Sequence, residues 1–294
     1  GGGRGMRVIE NGKDLAGQVL AARREAEAAF GNGEVYFEKL IRRARHVEVQ
    51  LLGDTHGTLV HLYERDCSVQ RRNQKVVERA PAPYLNDDQR KEICDAAIRL
   101  GKAANYVNAG TVEFLMDVDT SKFYFIEVNA RIQVEHTVTE LVTGLDLIQE
   151  MIKIAAGQPL AIDQSDVEVR GHAIECRINA EDPAKDFMPS PGLVESFVPP
   201  GGPGVRLDSH CFSGYRIPPN YDSMVGKLLV HRPTRQEAIR TMRRALSEFV
   251  IDGPKTTIPI HHEGRGRRDR QGFLHGGSCL KPQRCQGIQN HGTR

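Results

Sequence analysis

The stretch FIEVNARIQVEH, Phe125–His136, alternates strictly between two kinds of side chain. Ile126, Val128, Ala130, Ile132 and Val134 hold the even positions, and Glu127, Asn129, Arg131, Gln133 and Glu135 hold the odd ones. Successive residues of a strand point to opposite faces, so the pattern predicts one apolar and one wholly polar face. Many half-buried strands turn such a polar face to water. This one carries no Thr, Ser or Lys. Two carboxylates, two amides and a guanidinium in one row read instead as a set of ligands.

The residues upstream sharpen that reading. TVEFLMDVDTSKFYFIEVN divides into β runs Thr111–Met116 and Phe123–Asn129 around the polar turn DVDTSK, a hairpin by pattern. Glu113 and Glu127 each lie seven positions from Thr120, so a turn centred there sets them directly opposite. Like charges so placed repel, and a divalent cation between them reverses the sign. With Asn129 they form a hard oxygen donor set that suits Mg²⁺ or Mn²⁺ and not zinc. A turn centred elsewhere leaves both glutamates solvated.

At 294 residues the chain has room for one or two domains and a sizeable core. It has no long apolar run and no signal peptide pattern. Cys67, Cys94, Cys176, Cys211, Cys279 and Cys285 lie scattered without a CxxC pair, which argues against structural zinc and for a reduced cytoplasmic chain. Residues 261–294 carry seven Lys/Arg against two Asp/Glu, leaving residues 1–260 mildly acidic. Nothing global points to nucleic acid or membrane as a partner. The tail is rich in Gly, Arg and His with few apolar residues, so disorder is expected there, from a misread frame or as an Arg/Gly-rich binding tail. The chain opens on GGGRGMR without an initiator Met, as though cut inside a motif.

Along the chain, Lys13–Ala29 has helical spacing closed by Gly31, and EVYFEKLI (34–41) is strand-like. HVEVQLLGDTHGTLVHLYERD reads as two strands about a turn, and NDDQ (86–89) as a capping box opening a helix to about Ala104. Helical segments run from Val138 to Ala156. From Gly171 short strands follow, and Thr234 with Glu237 caps a helix whose core face is Ala238, Met242, Ala245, Leu246 and Phe249. ERDCSVQRRNQK (64–75) reads as a basic loop, solvated or an anion site. In HAIECRINAEDP, Arg177 shares a strand face with Ala173, Glu175 and Asn179, as one half of a structural Arg–Glu pair or as a functional cation.

Seven motifs, GGGRGMR, FEK, RHVEVQ, ERDCSVQRRNQK, FIEVNARIQVEHTVTE, GHAIECRINAEDP and YDSMVGKL, together resemble biotin carboxylase, the ATP-grasp component of acetyl-CoA carboxylase and related biotin-dependent carboxylases. They run in family order over residues 1 to about 260. The resemblance implies an α+β fold: the remainder of an ATP-grasp lid (1–40), the ATP-grasp core (41–165), a biotin carboxylase C-terminal subdomain (166–260) and an atypical tail (261–294). The family's N-terminal domain and the first part of its lid have no counterpart here, so a chain of this extent is expected to be inactive alone.

The resemblance also implies roles. Glu113, Glu127 and Asn129 would hold Mg²⁺ or Mn²⁺ against ATP, and Gly2, Gly3 and Met6 would belong to the loop covering the phosphates. Glu38 and Lys39 would meet adenine, with His46 and Gln70 toward ribose and phosphates. Lys75, Arg131, Gln133, Val134 (by its backbone) and Glu135 would form the bicarbonate site, with Glu135 as general base. Arg177 would face the biotin ureido oxygen. Asn73 stands where some members carry His, and it is left out of the set. Implied partners are the biotin carboxyl carrier protein, the carboxyltransferase component and a second copy in a full-length homodimer. Two rivals remain: another ATP-grasp ligase such as a carbamoyl-phosphate synthetase half, disfavoured by RIQVEH and ECRINAEDP, and a basic nucleic-acid module. The second lacks the aromatic residues among its cations that stacking requires.

Overall fold

The structure, a computed structural model, describes residues 7–263. Eight strands dominate it: β1 (Ala44–Gly53), β2 (Leu59–Arg71), β3 (Gln74–Ala80), β4 (Asn108–Asp117), β5 (Phe123–Asn129), β6 (His172–Asn179), β7 (Val205–Ser209) and β8 (Met224–Arg232). They form one sheet in the order β7-β8-β6-β3-β2-β1-β4-β5, antiparallel at every pairing. Because β3 pairs with β6, the sheet runs unbroken past the connector at residues 160–170.

Helices cover both faces. α1 (Leu15–Phe30) lies at the surface, with Ala26 its one buried residue, and Gly31 closes it in the left-handed region at φ 68°. α2 (Asp87–Ala103) starts at a complete Asn86/Gln89 capping box and packs Ile93, Cys94 and Ala97 against Val47, Val49, Leu51 and Val112. α5 (Arg235–Glu248) covers the same face with Ala238, Met242, Ala245 and Leu246 on Ile174, Cys176, Ile178 and Leu228. On the opposite face α3 (His136–Thr143) sets Val138 and Val142 on Ala80, Ala173 and Leu229. α4 (Leu147–Ala155) sets Leu147 and Ile154 on Leu52 and Leu62. Cys67, Cys94, Cys176 and Cys211 are buried and unpaired.

Three sequence expectations are corrected. Residues 34–41 form no strand; they run as irregular chain. The basic stretch 64–75 is a hairpin, not a loop: β2 continues through Arg71, and Arg72 and Asn73, at φ 50° and 64°, turn the chain into β3. Two successive left-handed residues match the twist of a tight hairpin, and Asn tolerates that conformation. The alternation in FIEVNARIQVEH outlasts its strand, which stops at Asn129, and Gln133 and Glu135 belong to the turn that enters α3. A period of two is necessary for a strand, but it needs a partner, and β5 is an edge strand that pairs with β4 through Asn129.

Candidate active site

Strand register builds a charged row. Glu48 on β1 faces Arg65 on β2 on one side and Glu113 on β4 on the other, and Glu113 in turn faces Glu127 on β5. Arg65 is fully buried; its Nε lies 2.7 Å from Glu48 Oε1, and its Nη1 donates to Gln50 at 2.7 Å and Thr139 at 2.9 Å. Lys75 closes the row from β3, with Nζ 2.5 Å from Glu48 Oε2, 3.0 Å from Glu113 Oε1 and bonded to Glu135. His46 Nε2 lies 3.1 Å from Glu113 Oε2. Burial by itself would lower the His46 pKa, but the carboxylates of Glu113 and Glu48 beside it outweigh that and raise it to about 9. Burial likewise opposes ionisation of Glu113, and the nearby His46 and Lys75 carry it down to about 2.

A bulge lets β3 serve this face twice. Lys75 and Glu78 are three residues apart, a spacing that puts strand residues on opposite faces. The register steps from Val69↔Val77 to Gln70↔Lys75, so β3 carries one extra residue there. Lys75 thus reaches Glu135 from one side, while Glu78 accepts from Arg177 Nε at 2.6 Å. Arg177 Nη2 lies 2.8 Å from Glu135 Oε2. Glu135, 2% exposed, is held between two cations.

Of these groups His46, Lys75, Glu113, Glu127, Glu135 and Arg177 wall a cavity of about 580 Å³. The expected metal set Glu113, Glu127 and Asn129 lines it, and so do Lys75, Arg131, Gln133, Val134, Glu135 and Arg177. His46 and Gln70 line it together, with Gln70 Nε2 and His46 Nδ1 3.0 Å apart. Gln133 donates to Glu113 at 2.9 Å and keeps a buried, unpartnered Oε1. Arg131 is exposed, 3.4 Å from Asn129 Oδ1, and the Val134 carbonyl accepts from Lys227 at 2.9 Å. Glu38 and Lys39 are not brought to this cavity. Both are exposed, and Lys39 bonds to the Tyr124 hydroxyl at 2.9 Å. Gly2, Gly3 and Met6 lie outside the described residues.

The donors fit a divalent cation. Asn129 Nδ2 bridges Glu113 Oε1 at 3.0 Å and Glu127 Oε1 at 3.2 Å, so both carboxylates converge on one point. A half-turn of that amide presents its oxygen there, completing three hard oxygen donors. Sequence reading missed Glu48, Arg65, Glu78, Glu175 and Lys227 as members of the site. The signal for Glu48 was present, since His46, Glu48 and Gln50 alternate with Val47, Val49 and Leu51. Glu78 was hidden by the bulge.

The antiparallel sheet with an acidic row and cations at one cavity is what the resemblance to an ATP-grasp protein implied. Residues 1–163 match the family described as carbamoyl-phosphate synthase L chain, ATP binding domain, and residues 175–267 match the biotin carboxylase C-terminal domain. Biotin carboxylase 1 of Bacillus subtilis is 54% identical over 261 residues, covering 89% of this chain and 58% of that protein. The crystal structure of a biotin carboxylase–β,γ-ATP complex from Campylobacter jejuni superposes with TM-score 0.85 at 50% identity, covering 90% of this chain and 58% of the other. The biotin carboxylase domain dimer of Hydrogenobacter thermophilus 2-oxoglutarate carboxylase, in complex with MgADP, ADP and bicarbonate, gives 0.83 at 47% identity, covering 88% and 57%. The chain belongs to the biotin carboxylase family. It spans 58% of the length of the B. subtilis relative. The C-terminal match disfavours the carbamoyl-phosphate synthetase alternative.

Proposed function

We propose that these residues serve the ATP-dependent carboxylation of biotin by bicarbonate through carboxyphosphate. The observation that carries this reading is Glu135, buried between Lys75 and Arg177 on the wall of the cavity that also holds Glu113 and Glu127. A carboxylate within reach of bound bicarbonate can take its proton, which is the task of a general base. Glu135 takes the bicarbonate proton as a bicarbonate oxygen attacks the γ-phosphorus of ATP and ADP leaves. Lys75, Arg131, Gln133 and the Val134 backbone hold the bicarbonate oxygens. Carboxyphosphate then yields CO₂ and phosphate, the phosphate takes the ureido N–H proton of biotin, and that nitrogen attacks CO₂. Arg177 stabilises the negative charge on the ureido oxygen. Mg²⁺ or Mn²⁺ bound by Glu113, Glu127 and Asn129 would neutralise charge on the ATP phosphates. In this reading His46 and Gln70 approach the nucleotide, and Glu38, Lys39, Gly2, Gly3 and Met6 belong to the same site.

The bound nucleotide and bicarbonate of the C. jejuni and H. thermophilus structures support this reading, as does the match of the C-terminal family. Partners in this reading are a biotin carboxyl carrier protein, a carboxyltransferase component and a second copy of the chain, in the cytoplasm. Among the described residues no helix is long and apolar enough to cross a membrane.

Glu135→Gln, in a version extended to the full length of the relatives, tests the reading. Biotin carboxylation should fall about 10²–10⁴-fold, the usual contribution of a general base, while nucleotide affinity stays unchanged. Near-normal turnover, or a loss mainly of nucleotide binding, would remove Glu135 from this role.

A further inference from the structure

Behind Arg177 lies a second pair of glutamates that the proposed reaction does not use. Glu78 and Glu175 are paired directly across the β3–β6 seam, and both are 0% exposed. Residues so paired have Cβ atoms about 4.5–5.5 Å apart on the same sheet face. Glu78 Oε1 accepts from Arg177, and Glu175 Oε2 accepts from the Thr137 hydroxyl on α3. Each keeps one oxygen, Glu78 Oε2 and Glu175 Oε1, that is buried without a hydrogen-bond partner.

Two sealed carboxylates, each with a bare oxygen and set opposite one another in the strand register, are unfavourable twice over: like charges repel, and both oxygens have lost water. One proton relieves both costs. A neutral carboxyl on one residue donates to the bare oxygen of the other, as in carboxyl pairs that share a site. The surroundings do not supply enough positive charge to do this instead. Arg177 from β6 faces Glu78 but divides its fork with Glu135. Lys75 is committed to Glu48, Glu113 and Glu135, and Lys227 from β8 to the Val134 carbonyl. Burial, reinforced by the neighbouring carboxylates and only partly offset by Arg177, Lys75 and Lys227, raises both carboxyls, and Glu175 the further, to about 8.

We propose that Glu78 and Glu175 share one proton across the β3–β6 seam and together act as positioning residues for Arg177. Glu175 holds the proton and Glu78 stays ionised toward the Arg177 Nε–H, so the pair carries a single negative charge behind the guanidinium. That leaves Nη2 directed at Glu135 and the cavity. Losing the proton adds a second negative charge behind Arg177 and draws the cation back. The effect on turnover rests on the proposed role of Arg177; the shared proton does not.

The whole chain, titrated by infrared spectroscopy, tests the proton directly. A carboxylic-acid carbonyl band should be present at about pH 6, far above the ordinary Glu range, and should fade as pH rises through about 8. Glu175→Gln should abolish the band while its amide serves both Thr137 and Glu78. A raised folded-state pKa means that the stabilisation is complete below about pH 4 and lost as pH rises toward about 8. Glu175→Gln should flatten that decline. No acid band in the unmodified chain, or a band unchanged in Glu175→Gln, overturns the shared proton, and the first result needs no variant to fold. For positioning, Glu78→Gln should shift the Arg177 Nε–H resonance. In the version extended to full length it should also raise KM for biotin about tenfold or more, with KM for ATP unchanged. An unmoved resonance and biotin KM would overturn the positioning role. Full turnover in Glu135→Gln beside a normally titrating band would overturn the proposed reaction and leave the pair standing.

Discussion

Two pairs of glutamates face each other across strands of the same sheet, and they meet the same problem in opposite ways. Glu113 and Glu127, on β4 and the edge strand β5, open onto the cavity. Lys75 and the amides of Asn129 and Gln133 donate to Glu113, with the His46 ring beside it, and it is carried down to about 2. Glu78 and Glu175, on β3 and β6, are sealed under α3 with fewer donors, and Glu175 is pushed up to about 8. Cross-strand geometry alone therefore does not decide whether such a pair is ionised. The number of donors aimed at it does, and a pair ringed by donors at a cavity is ready for a cation, while a sealed pair is ready for a proton.

The largest expected effect lies at the far end of the acidic row. Arg65→Leu removes the buried cation facing Glu48 and strips partners from Gln50 and Thr139. Breaking a buried ion pair on one side costs about 3–5 kcal/mol, which urea unfolding should register. A loss below about 1 kcal/mol, the scale of an exposed pair, would mean that Lys75 alone holds the row together.

Next comes metal affinity. Glu113→Gln and Glu127→Gln should each weaken Mn²⁺ binding to the chain about tenfold or more, measured by electron paramagnetic resonance, since even outer-shell partners contribute that much. Glu175→Gln should leave it unchanged. Equal losses in all three would erase the distinction between the pairs.

The smallest effect serves as a reference. Asn86→Ala removes the capping box of α2, remote from both pairs, and should cost about 1 kcal/mol. That loss should be the same across the pH range in which the seam pair titrates. A pH-dependent loss in this variant would show that the decline assigned to Glu175 is a general property of unfolding.

Local chemistry made much of this readable in advance. The β4–β5 hairpin and its Glu113/Glu127 register followed from turn residues flanked by alternating runs, and the Thr234/Glu237 and Asn86/Gln89 boxes followed from spacing alone. The errors fell where local pattern and pairing part company. Cations in 64–75 disguised a hairpin as a loop, although Asn73 was a usable turn signal. Residues 34–41 had the pattern of a strand without joining one. Gln133 and Glu135 reach the cavity, but through a turn rather than along the strand their alternation suggested.

By itself the sequence determined which side chains share a strand face, where helices start, and which residue types could gather around phosphate, metal and bicarbonate. Those follow from a two-residue period and from hydrogen bonds between near neighbours in the chain. Only the tertiary structure decided that β3 carries a bulge, that Glu48 and Arg65 extend the acidic row, and that Glu78 lies beneath Arg177 and against Glu175. Those relations join residues up to about a hundred positions apart in sequence. The charge each group bears depends on burial and on every donor brought within reach, a sum over the folded molecule that no local pattern contains.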